Sequence, residues 1–204
     1  MRAPWSLLLA ALPCLVGCPR GGVDPPSAPP APFEDRYPQD IGLPPGVEYP
    51  CAVTALPRDL TGVPEAERNY VNHVYAALIE VVQSKQVLLA AMARRADATA
   101  ADAEHRATTE RALATLRAEP VPRGLEGFHG DVVAALEQQR TFFDQAVPRR
   151  ASGASMEDVH HIPEGRAASH RLLSAWAAMQ GRYPRWSAEV KDSVYHHLCA
   201  LDLF

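Results

Sequence analysis

The stretch PEAERNYVNHVYAALIEVVQSKQVLLAAMARRAD, Pro64 to Asp97, decides the fold class. Val71, Val74, Tyr75, Leu78, Val82, Leu89 and Met92 recur there at helical spacing, which places them on one face of a long helix. Its start is also written in the chain. Pro64 suits a first-turn position, where its missing N–H would be unpaired anyway. Glu65 and Glu67 complement the positive end of the helix dipole, and Thr61 offers a cap. Arg94 and Arg95 stand at the far end, where positive charge is favoured.

Downstream the same period continues. A second helix is expected from Thr99, where Thr99-Ala-Ala-Asp102 reads as a capping box, to just before Pro120, with Ala103, Ala107, Leu113 and Leu116 as its stripe. A third runs from Leu125 to Val147 through Val132, Val133, Leu136 and Phe143 and stops at Pro148. After a loop with Ser152, Gly153 and Ser155, Pro163 opens a fourth helix carrying Leu172, Leu173, Trp176, Met179 and Tyr183, which Pro184 ends. Ser187 caps the last helix, in which Val190, Val194, His197, Leu198 and Leu201 share a face. No alternating strand pattern competes. Short connections favour antiparallel neighbours, so residues 51–204 are expected to form an all-α, up-and-down bundle of four to five helices.

Upstream the composition changes. Between residues 18 and 50, Pro25, Pro26, Pro29, Pro30, Pro32, Pro38, Pro44 and Pro45 alternate with small residues without apolar period. Such a segment cannot bury enough surface to offset its ordering entropy and reads as a disordered, semi-rigid spacer, with a reach of about 90 to 100 Å in polyproline geometry. Residues 1–17 place Arg2 before an apolar run from Trp5 to Val16, the order of a secretory signal peptide and too short for the about 20 residues of a membrane span. Leu15-Val16-Gly17-Cys18 resembles the lipobox of bacterial lipoproteins. The resemblance implies a lipidated Cys18 as the mature amino terminus and a membrane as partner. Pro13 before Cys14 makes Cys14 a poor match. Pro19 replaces the aspartate that would resemble an inner-membrane retention signal, so an outer-membrane location in the cell envelope is expected.

With Cys14 removed and Cys18 lipidated, Cys51 and Cys199 remain. In an oxidising envelope two such thiols usually pair, which would clamp the ends of the domain with a chain-entropy gain of about 4 to 5 kcal/mol. Two separate buried thiols are the alternative. A formal net charge of −4 argues against nucleic acid as a partner.

Eight histidines invite a metal reading. Glu126-Gly-Phe-His129 and Glu157-Asp-Val-His160 each place a carboxylate and an imidazole three residues apart, a spacing that resembles di-iron carboxylate bundles. Gly124, Gly127 and Gly130 weaken the helix under the first pair, and the second precedes Pro163 in a loop or helix entry, so neither a metal nor a cofactor is assigned. His197, on an apolar face, and His170 read as core histidines. No nucleophile elbow, phosphate loop or haem attachment motif occurs. Trp176, Tyr183 and Trp186, with Tyr195 nearby, mark either a packed junction or a groove for a partner. The function expected is a membrane-anchored, non-enzymatic binding or structural module, with a metal-binding or metal-dependent bundle using His and Glu residues as the alternative; an envelope protein is the partner class.

Overall fold

The computed structural model describes residues 62–203, less the side chains of Glu189, Asp192 and Ser193. Cys18, the leader, the proline-rich segment, Cys51 and Thr61 lie outside the described residues. Six helices and no strand are found among those described: α1 Glu65–Ala93, α2 Thr99–Ala118, α3 Glu126–Ala151, the single turn α4 Met156–His160, α5 Pro163–Arg182 and α6 Ala188–Leu201. The domain is all-α, as the periodicity predicts.

Side-chain pairs set the helix directions. His73 at the start of α1 meets Glu119 just past the end of α2, and Arg117 meets Glu137, so α1, α2 and α3 alternate. Arg171 meets Asp131, and Arg182 lies against Gly124, which turns α5 back along α3. The Trp176–Tyr195 and Tyr183–Trp186 ring pairs turn α6 back along α5. Five long helices closing on themselves require one parallel contact. It is α6 against α1, where His197 stacks on Tyr75 with centroids 3.8 Å apart.

At about 1.5 Å per residue, α1 is about 43 Å long and α6 about 21 Å, so α6 covers only half of its neighbour. The apolar core divides accordingly. A larger cluster around Tyr75, Phe128, Leu136 and Leu198 fills the end where α1 begins. A smaller one of Leu88, Met92, Phe142, Phe143, Val159 and Ile162 fills the other, with Leu203 packed against it.

Several local expectations are corrected. The face predicted for α1 is buried, but so are Ile79, Val81, Ser84, Lys85 and Leu88, because α2 and α6 cover two sides of it, while Leu89 is only half-buried. On α2 the stripe is rotated: Ala103 is exposed, and His105, Thr108, Thr109, Ala112, Leu113 and Leu116 face inward. Thr99 does not cap α2 but is its first residue, and its N–H and hydroxyl donate to Asp97 Oδ1 at 2.9 and 2.7 Å. Pro148 does not end α3. It costs one hydrogen bond in the last turn, and Arg150 holds that turn by donating to Met92 O (2.9 Å) and Ala154 O (2.6 Å).

The expected loop before Pro163 contains α4. Ser155 Oγ accepts from the Asp158 amide and Asp158 accepts from the Ser155 amide, a reciprocal cap that lets a five-residue helix form and drives Val159 into the smaller cluster. Ser187 caps α6 as its sequence predicts. His170 and Leu173 face solvent rather than the core, since α5 spends its inward face on Ala168, Leu172, Ala175 and Met179.

Candidate functional site

The rotated register of α2 has a chemical consequence. Between the two apolar clusters it inserts a layer of polar side chains, all under 9 % exposed: Ser84 and Lys85 from α1, His105, Thr108 and Thr109 from α2, and Gln139 from α3. Ser84 Oγ lies 3.1 Å from His105 Nδ1, 2.7 Å from Thr108 Oγ1 and 3.0 Å from Val81 O, and Thr108 Oγ1 lies 2.9 Å from His105 O, so one hydroxyl donates to the other and the second to its carbonyl. Both hydroxyls have a carbonyl within reach, so the network is best satisfied with Nδ1–H donating to Ser84. Lys85 Nζ donates to Ala200 O at 2.7 Å and to Asp202 O, and Gln139 Nε2 donates to Leu201 O at 2.7 Å. Ser169 of α5 donates to Asp202 Oδ1. The last carbonyls of α6, which no helical N–H can reach, are thus satisfied from α1 and α3, and the ammonium sits at the negative end of the helix dipole.

His105 Nε2 and Thr109 Oγ1 are buried without a hydrogen-bond partner among the described residues. Both line a slot of about 10 Å³, room for about one water, whose other walls are Asp102, Arg106, Arg140, Phe143 and Asp144. Burial, then the positive charges of Lys85 and Arg106, push His105 down to about 4. A neutral, weakly basic imidazole with no carboxylate on Nε2 does not activate Ser84, although Ser84 and Thr108 line a groove between α1 and α2. The layer is therefore built to join helices.

The metal candidates do not converge. Glu126 is exposed, and its own backbone amide, then that of Gly124 at 2.6 Å, keep its carboxyl below the usual range. His129 Nδ1 is 2.6 Å from Tyr70 Oη, and burial lowers its basicity. Glu157 and His160 are exposed on α4. No group of three or more His, Cys, Asp or Glu able to hold a metal is found among the described residues. His197 is buried against Tyr75, and Cys199 is half-buried on α6.

The aromatic cluster separates into two parts. Tyr183 and Trp186 stack at 4.4 Å inside the junction, 5 % and 7 % exposed, and the Tyr183 hydroxyl donates to Glu67, which also accepts from Arg182 at 2.7 Å. Burial and the Glu67 charge push the Tyr183 hydroxyl well above its usual range. These two residues are core, not surface. Trp176 is half-buried, with Tyr195 edge-on at 5.4 Å and Leu173 one turn away on α5. Leu173 (51 % exposed) and Tyr195 (41 %) are the exposed large hydrophobics among the described residues.

No protein-family model, curated protein or solved structure matches the chain. The inward layer on α2 had a sequence signal that the alanine stripe concealed. Counting back from Leu116, Leu113 and Ala112 by threes and fours reaches Thr109, Thr108 and His105.

Proposed function

We propose that the chain is a lipoprotein of the bacterial envelope, anchored through Cys18, whose domain is a non-enzymatic binding module held off the outer membrane by the proline-rich segment. Two acyl-type anchors hold a protein at a membrane where one would exchange, and a spacer gives the domain reach with a high local concentration. Pairing of Cys51 with Cys199 would tie the start of the domain to α6.

One observation carries the binding reading: Leu173 and Tyr195, the exposed large hydrophobics among the described residues, lie with half-buried Trp176 at the α5–α6 surface. His170 and Lys191 stand one turn from Leu173 and Tyr195, so the partner that fits is an envelope protein offering an apolar segment flanked by carboxylates.

A photoreactive amino acid placed at 173 or 195 of the full chain in living cells tests this, with Ala114 on the outer face of α2 as the control position. A discrete adduct of one mass at 173 and 195, absent at 114 and lost on Trp176→Ala, is expected. No adduct above the level at 114 would remove this face from the account.

A further inference from the structure

The polar layer does more than satisfy hydrogen bonds, because its only buried titratable ring is placed where a proton can reach it but not be accommodated. We propose that the layer is a proton-operated latch: acid charges His105 at Nε2 through the slot between α2 and α3, and the charged ring releases α2 from α1.

The argument runs through the groups around the ring. From α1, Ser84 accepts from Nδ1–H, and Lys85 brings a buried ammonium whose donors are already turned to the end of α6. From α3 come the edge-on ring of Phe143, with centroids 4.7 Å from that of His105, and Arg140 and Asp144, which line the slot. On α2 itself, Asp102 and Arg106 line it as well. Asp202, beyond Lys85, is engaged by Ser169.

Two carboxylates are therefore near, but Arg106 holds both: it donates to Asp144 and, at 3.2 Å, to Asp102. A neutral ring leaves this arrangement undisturbed. A charged one adds a second cation to a layer that holds Lys85, and its Nε2–H then needs an acceptor that no described side chain supplies where the ring now lies. Reaching Asp102, Asp144 or bulk water requires the ring to move outward along the slot, and with it goes the Ser84–His105–Thr108 network that crosses from α1 to α2. The depressed basicity of His105 agrees with this direction, since burial and the two neighbouring cations both resist the proton. The device is independent of the lipid anchor and of the aromatic face.

The test uses the mature chain labelled with nitrogen-15, and reads the His105 ring shifts and amide protection factors across pH. The ring is expected to stay neutral, with the proton on Nδ1, until below about pH 5. Over the same range the protection factors of α2 should fall roughly tenfold or more relative to those of α5, and in His105→Gln this difference should vanish. A ring that titrates near 6.5, α2 and α5 losing protection together, or an unchanged response in the variant would each overturn the latch. The ring titration is made on the unaltered chain, so a variant that fails to fold leaves the test intact.

Discussion

Lys85→Met should lower the unfolding free energy by about 3 kcal/mol, read as a drop in the urea midpoint with an unchanged slope. Lys85 is fully buried, and its Nζ supplies donors to Ala200 O and Asp202 O at the end of α6. Methionine keeps most of the volume and removes the charge, so the substitution isolates the polar contribution. One buried and one partly buried acceptor would lose a charge-assisted donor, and an unmet buried acceptor costs about 1 to 3 kcal/mol. The opposing effect is desolvation of the ammonium, which the substitution relieves and which in some buried ion pairs outweighs the attraction. The geometry decides for the former: the lysine meets a helix end, where a half-charge of opposite sign and unpaired carbonyls coincide. A more stable Lys85→Met protein would show that desolvation dominates. Lys85→Ala should cost more again, because it adds a cavity.

Acidification from about pH 6.5 to about pH 4 should remove about 3 kcal/mol of stability through His105 alone. The folded value lies below the unfolded one, so across this window the unfolded chain binds a proton that the folded chain refuses. Stability then rises with pH inside the window, is fully present above about 6.5 and is lost on acidification. Below about 4 both states are charged and this group contributes no further change. His129, lowered by burial, acts in the same direction. Subtracting the profile of His105→Gln from that of the parent isolates the His105 share. Parallel profiles would mean that the ring takes up its proton in the fold without cost.

The helices themselves were legible because their signals are local. Pro64, Pro163 and Ser187 mark starts, Pro184 marks an end, and the apolar periods of α1, α3 and α6 run long enough to be read without a partner. The polar layer was not legible for the opposite reason. Whether Lys85 is solvated or buried depends on where α6 stops, and that is settled by a helix more than 100 residues later, as the 115-residue separation of Lys85 and Ala200 shows. His105 was hidden by composition: Ala103 and Ala107 are apolar enough to suggest a stripe, whereas the true inward face carries two threonines and a histidine, of which Thr108 and His105 find their partner, Ser84, only across on α1. The aromatic cluster was half legible. Its residues were named, but sequence cannot divide Tyr183 and Trp186, stacked inside the junction, from Trp176 and Tyr195 at the surface, because both pairs lie at the same helix reversal.

The reading of the chain as an anchored module stands or falls with its amino terminus, so the deciding measurement is the intact mass of the mature protein extracted from membranes, compared with that of a Cys18→Ser variant. The account predicts a chain beginning at Cys18 with the added mass of a diacylglyceryl group and an amino-terminal acyl chain, and a variant that keeps its leader. A mature chain that begins at any other residue, or that carries no lipid mass on Cys18, would contradict it.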